Sequence, residues 1–340
     1  MRRARTERPI TILLNGNFEL IPLFRQYAAP EETFRFICLN STKSAAFLRP
    51  LLTAQDQVIV EPPRFSTDYA ERILGLAVDL GVDFVLPMWR VDALADAAMQ
   101  FQPHGVHILV PGTGPQLRRV EDKGQCFHDL ADIPAVLPAH RVIASVEAFD
   151  AAVSELAPYH VVCFKPCHAV FGYGFYVLVD GAADQRPLGP RISIDGAQRL
   201  IARAGHRRHL VMQYLPGPEW SVDCLAHAGE LLQTIIRRKR DDASQIIEAH
   251  AEVDRCVRDI WARLQLTGLF NIQLKGDPEG RPRLLEVNGR MAGGVTKSAA
   301  SGLLLPLWAI RFALGTHNRG EMPIPQFGVV IPATPSVCSV

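Results

Sequence analysis

The stretch Phe270 to Gly294 places four chemically useful side chains within a short reach: Gln273, Glu286, Asn288 and Arg290. Two apolar-alternating runs, 270–275 and 283–288, flank a Gly-Asp-Pro-Glu-Gly turn and predict a β-hairpin. Side chains alternate along a strand, so Glu286, Asn288 and Arg290 share one face, and Leu285 and Val287 share the other. The register expected across the turn brings Gln273 beside Glu286. One carboxylate and two amide oxygens make a hard oxygen set suited to Mg²⁺, which fills its shell with water and substrate phosphates. Arg290 then lies where a guanidinium can pair with a phosphoryl oxygen. A surface hairpin with a solvated polar face has the same pattern, so the rest of the chain must decide.

Two further segments carry groups of the same kind. In HVVCFKPCHAVFGYGFYVLVD, residues 160–180, two apolar strands surround a loop holding Gly172 and Gly174, and Lys165 ends the first strand. A lysine leaving a buried strand there can set its ammonium on phosphates while the loop backbone closes over them; a lysine snorkelling out of a hairpin is the alternative. In LVMQYLPGPEWSVDCLAHAGELL, residues 210–232, a strand runs into Gln213-Tyr214-Leu215, a Pro-Gly-Pro turn follows, and Glu219 opens the next strand. Extended backbone at such a junction can read an adenine edge, and the carboxylate can hold ribose hydroxyls. A tight turn with a solvated glutamate is the competing explanation. Cys163, Cys167 and His168 lie close together, but no second cluster completes a four-ligand zinc site, and core and loop thiols are the better account.

These groups need elements to hold them. At 340 residues the chain predicts two or three packed units. The runs at 10–16, 34–40, 58–62 and 83–89 alternate with helical spacing, notably at 68–81, and imply βαβ units with a parallel sheet. Ligands of such sheets sit at the carboxyl ends of strands, which draws attention to Asn15 and Trp89. HGVHILVPG at 104–112 closes this unit, and Pro111 to Pro115 marks a boundary. A helical run at 116–131, a strand at 141–143 and a helix at 146–157 follow.

Composition excludes several classes. With 48% apolar residues, 21% charged residues and a net charge of +1, no field of one sign points to nucleic acid or an anionic membrane. The Arg-rich start is followed by too short an apolar run for a signal peptide. The longest apolar run, 303–315, is too short to span a bilayer and contains Arg311. Seven scattered cysteines fit reduced thiols, and a soluble, cytoplasmic protein is expected. Neither GxGxxG nor a Walker-type GxxxxGK[ST] occurs, which argues against a classical dinucleotide site and a P-loop.

Taken together and in this order, the segments resemble the ATP-grasp superfamily over roughly residues 10–315. The closest pattern is the branch of carbamoyl phosphate synthetase, biotin carboxylase and D-alanine–D-alanine ligase. The resemblance implies an α/β protein: a Rossmann-like parallel-sheet domain over 1–115, a central lid lobe over 116–211, and a C-terminal lobe with the metal site over 212–340. It implies ATP as cofactor with Mg²⁺, or Mn²⁺ in its place. Lys123 falls at the family's "DK" helix start near the nucleotide phosphates, and Lys165 matches the strand lysine on the α and β phosphates. Gly172 and Gly174 belong to the lid; Gln213, Tyr214 and Leu215 to the adenine hinge; Glu219 to the ribose. Gln273, Glu286 and Asn288 correspond to the metal ligands, and Arg290 to the arginine that steadies the transferred phosphoryl group. The basic run Arg237 to Arg240 falls where further phosphate or substrate contacts occur, and Lys297 where the acceptor would sit.

Two departures stand out. The hinge has Gln213 where a glutamate is usual, and the lid has two glycines where relatives often have three or four. The chain also ends without the extra domain of biotin carboxylases, which argues against carboxylation of biotin. The activity implied is a carboxylate–amine ligase acting through an acyl phosphate on small-molecule substrates, with a homodimer expected from the family. A kinase or other phosphoryl-transfer synthase and a non-catalytic ATP-binding regulatory protein are the alternatives.

Overall fold

A computed structural model describes residues 8–169, 173–179 and 190–333. Its strands form three sheets. In the first, Ile10–Leu14 is central, with Phe34–Asn40 and Gln57–Val60 to one side and Phe84–Leu86 and His107–Ile108 to the other; every pairing is parallel. Parallel strands covered on both faces read as continuous apolar runs, and Ile12, Leu13, Leu14, Phe36, Ile37, Cys38 and Leu39 are all buried. The period of two sorts them. Leu13, Ile37, Leu39 and Val85 pack with Tyr69, Ile73 and Leu94 of the flanking helices. Ile12, Leu14, Phe36 and Leu86 pack toward the opposite side, where helix Leu305–Ala313 and the third sheet contribute Leu307, Trp308, Ile235 and Leu269. The long apolar run is thus an interior helix, each large side chain contributing about 1.5–3 kcal/mol by burial. No helix among the described residues is long and apolar enough to cross a membrane.

The second sheet runs His140–Ile143, His209–Gln213, Val162–Pro166, Tyr176–Val179, Arg191–Ser193, and is antiparallel except for its last pair. Helices Val146–Leu156 and Ile194–Ala204 cover it through Phe149, Ala152 and Ile201. Strand His209–Gln213 lies wholly in this sheet, and the chain leaves it at Tyr214.

The third sheet is antiparallel, in the order Pro282–Asn288, Gly268–Gly276, Glu219–His227, Glu230–Lys239, Gln245–Ile247, Val330–Ile331. Where sequence predicts one helix over 116–131, two occur, Gly114–Glu121 and Lys123–Asp129. Thr113 and Gln116 form a capping box at the first, and the Asp122 side chain accepts from the Gln125 N–H to start the second. That interruption fixes Lys123 at a helix start, against the hairpin.

Candidate functional site

The hairpin 268–288 has the register expected of it: Gln273 stands opposite Glu286 and Asn271 opposite Asn288. Below that pair the register slips, Leu274 facing Leu284, so Leu285 is the extra residue of a bulge. The consequence is chemical. Leu285, half-buried, packs at the edge of the core that holds Val287 and also lines the cleft, and its carbonyl accepts a hydrogen bond from Lys165 Nζ at 2.9 Å. Val287 stays buried.

The hairpin forms one wall of a cleft of about 710 Å³ between the second and third sheets. Lys123 and Lys165 meet Glu286 there. Lys123 Nζ is 3.2 Å from Glu286 Oε2 and also donates to the Ala169 carbonyl at 2.8 Å. Asn288 Nδ2 reaches both Glu286 Oε1 and Asn271 Oδ1 at 3.4 Å. Burial alone would raise the Glu286 carboxyl, but Lys123 and Lys165 hold it below its ordinary value. Burial, then the neighbouring Lys123 charge, depresses Lys165 from 10.5 to about 8. Two cations are therefore crowded onto one carboxylate, an arrangement that incoming phosphate oxygens would relieve.

Gln273, Asn288 and Arg290 line the same cleft. Arg290 donates to the Met291 carbonyl and makes no ion pair within 4 Å among the described residues, although its charge reaches the Glu121 carboxyl. One carboxylate and two amide oxygens fit a Mg²⁺ that draws its remaining shell from water and phosphates, and do not fit zinc. Among the described residues no three of His, Cys, Asp and Glu converge as metal donors. Cys163 and Cys167 are buried thiols pushed upward, Cys163 to about 12, both chiefly by burial.

At the opposite end, Tyr214, Leu215 and Glu219 line the cleft after the change of sheet. Glu219 pairs with Lys239, and Lys275 stands 5.8 Å over the Tyr214 ring. Gly217 and Gly276 clamp this segment: Gly217 N–H donates to Gly276 O at 2.9 Å, and Gly276 N–H to Pro218 O at 2.8 Å.

Gln213 is not among the cleft residues. Its amide oxygen accepts from the Ala139 N–H at 3.0 Å, so the side chain ties strand 209–213 to the preceding loop. The period of two gives the reason: neighbouring Met212 points into the cleft, and Gln213 must point away. Gly174 adopts a left-handed φ of +74°, and a Cβ there would meet Pro166 at 2.8 Å. It shapes the loop without lining the cleft. Gly172 lies outside the described residues.

Sequence reasoning passes over Cys163, Met212, Phe175, Leu285, Ser221 and Gln245, which also line the cleft. Two had a usable signal. Cys163 stands two residues before Lys165 on one face, and Met212 pairs with it in register. Along strand Glu230–Lys239 the same alternation divides the basic run: Arg237 and Lys239 face the cleft, while Arg238 pairs with Glu248 and Arg240 lies 3.9 Å from Asp242. Arg237 is 2% exposed, bonded to Asp223 at 3.0 Å, Ser298 at 3.0 Å, Ser221 at 3.1 Å and Gln245 at 2.6 Å. Asn17 of the first sheet's loop donates to the carbonyl of Ala292, a cleft residue, at 3.1 Å.

Comparison with known proteins agrees with this geometry. A family described as ATP-grasp in the biosynthetic pathway with Ter operon matches residues 206–334. Carnosine synthase 1 of Gallus gallus is 32% identical over 123 residues, a stretch covering 31% of this chain and 13% of that protein. Solved structures share the fold along nearly the whole chain. The ADP complex of N5-carboxyaminoimidazole ribonucleotide synthetase aligns with a TM-score of 0.65 at 14% identity, covering 96% of this chain and 82% of that one. L-amino acid ligase from Bacillus licheniformis aligns at 0.62 and 14%, covering 94% and 78%. The biotin carboxylase domain of Hydrogenobacter thermophilus 2-oxoglutarate carboxylase, solved with MgADP, ADP and bicarbonate, aligns at 0.68 and 16%, covering 96% and 74%.

Proposed function

We propose, for a chain whose residues 206–334 match an ATP-grasp family, an ATP-dependent ligase that joins a small-molecule carboxylate to an amine through an acyl phosphate. The observation that carries this reading is the convergence of Lys123, Lys165, Glu286, Asn288 and Arg290 on one cleft from separate elements. Two structural relatives, one a synthetase and one an amino acid ligase by name, support it.

In this reading the adenine lies between Met212, Tyr214 and Leu215, and Glu219 takes the ribose hydroxyls. Lys123 and Lys165 hold the phosphates, and Glu286 and Asn288, with Gln273 beside them, hold Mg²⁺ or Mn²⁺. A metal held there would supply charge neutralisation for the transferring phosphoryl group. A substrate carboxylate oxygen bonds to the γ phosphorus as the bond to the ADP oxygen breaks. An amine then bonds to the acyl carbon, phosphate leaves, and the amine's proton passes to solvent. Arg290 stays on the transferred phosphoryl oxygens through both steps. Phosphoryl transfer of this kind needs positioning and neutralised charge more than a protein base.

The test is ADP release with Mg·ATP against small acids and amines, singly and in pairs. ADP formed only with an acid and an amine together, with an amide as product, supports the ligase. A stable phosphate ester would move the assignment to a kinase, and nucleotide binding with no turnover on any pair would move it to a sensor.

A further inference from the structure

The cleft holds more positive charge than the proposed reaction uses. Seven basic side chains line the cleft among its described residues, against the carboxylates of Glu219 and Glu286. A third carboxylate, Asp223, lies buried behind Arg237 and neutralises it. Lys165, Lys275, Arg290 and Lys297 are left without an ion pair to a carboxylate among the described residues. A metal–nucleotide complex brings roughly two net negative charges, and the Glu121 carboxyl lies within the field of Arg290, so about one cation remains for the other substrates.

Lys165 and Arg290 serve the phosphates in that reading and Lys275 stands over the hinge residue Tyr214, which leaves Lys297. Glu219 is taken by Lys239 and Glu286 by Lys123. Lys297 has neither a hydrogen-bond nor an ion-pair partner among the described residues, and it faces the cleft beside Arg237 and Lys239. It is half-buried, and burial, then those two cations, lower its pKa. Arg237 and Lys239 already hold carboxylates of their own, so Lys297 is the cation of the three that an incoming anion would meet.

The scaffold beneath Lys297 is rigid. Ser298, the next residue, donates to Asp223 and accepts from Arg237 Nε at 3.0 Å. Gly294 lies so close to Arg237 that a Cβ would stand 3.1 Å from Nη1. The backbone that carries Lys297 is therefore held against Arg237, with the side chain lining the cleft.

Resting on the ligase reading, we propose that Lys297 anchors a second acidic group, a carboxylate or a phosphate, on a substrate that carries it in addition to the group that reacts. The substrate class is then a dianionic acid: a dicarboxylate or a phosphorylated carboxylate.

Calorimetric titration with charge-matched pairs tests this directly. L-glutamate is compared with L-glutamine, and O-phospho-L-serine with L-serine, in the presence of Mg²⁺ and a non-hydrolysable ATP analogue. The wild-type protein should bind at least one acidic member about tenfold more tightly than its neutral counterpart, and which pair shows the preference separates carboxylate from phosphate. Lys297→Gln should erase that preference, and Lys297→Arg should restore most of it. Equal binding within both pairs, or a preference unchanged in Lys297→Gln, overturns the proposal. The analogue's own binding isotherm reports separately on the nucleotide site: its absence would count against the ligase reading, while the charge preference would still decide the role of Lys297.

Discussion

Lys123, at the start of a helix, and Glu286, on the second strand of a distant hairpin, form an ion pair at 3.2 Å in the middle of the cleft. The pair makes the free site neutralise itself: the lysine proposed for the phosphates holds the carboxylate proposed for the metal. Nucleotide binding would then be an exchange of partners, Lys123 to phosphate and Glu286 to the cation.

That exchange makes Glu286 indispensable to turnover. Glu286→Gln keeps the size and the Asn288 contact while removing the charge, and ADP release should fall by about 100-fold or more. A circular dichroism melt should show the fold intact. Turnover near the wild-type rate would sink the metal assignment. Chelating the divalent cation should silence the wild-type protein in the same assay, and added Mg²⁺ should bring it back.

Lys165 gives the cleft a pH dependence. Its folded-state pKa of about 8 lies below its ordinary 10.5. Between those values the folded protein binds fewer protons than the unfolded chain, so this group makes stability rise with pH across that window. Nucleotide affinity runs the other way, because the ammonium that meets the phosphates is lost from the free protein as pH rises through about 8. Affinity for ATP at a pH near ~9 should be about tenfold weaker than near ~7. Lys165→Met should bind weakly and show little of this dependence; a wild-type profile flat across that range would contradict the placement.

Asp223 and Arg237 are both nearly fully buried, at 2% exposure each. Asp223→Ala would leave the guanidinium without its carboxylate, and denaturant unfolding should report a loss of about 3–5 kcal/mol. Asp223→Ala combined with Arg237→Leu should cost less than the two single losses added together. Strict additivity would show that Ser221, Gln245 and Ser298 already satisfy the arginine.

Gly217 has no room for a side chain, since a Cβ would lie 2.8 Å from Gly276 Cα and 2.9 Å from its carbonyl oxygen. Both neighbours are backbone, which cannot swing aside. Gly217→Ala should destabilise the protein by about 1–3 kcal/mol and weaken nucleotide binding by shifting Tyr214 and Leu215. Thermal melting and fluorescent-nucleotide titration would read the two effects separately.

The sequence by itself carried much of this. The period of two in 270–288 dictated the face shared by Gln273, Glu286 and Asn288, and a Gly-Asp-Pro-Glu-Gly turn left little freedom in register. Continuous apolar runs dictated the parallel sheet, because strands covered on both faces have no polar side. These are local consequences of covalent geometry and burial, and a linear reading reaches them.

What the tertiary structure decided depends on contacts between residues far apart in the chain. The bulge at Leu285 turns one carbonyl toward Lys165, and alternation around Met212 sends Gln213 out of the cleft to Ala139. The basic run 237–240 is split between a buried anchor, Arg237, and an ion pair at Glu219, because only the fold sets Asp223 and Ser298 beneath that strand. Residue type shows that a side chain is charged; which opposite charge it meets, and which cation is left for a ligand, follows from how the three sheets pack.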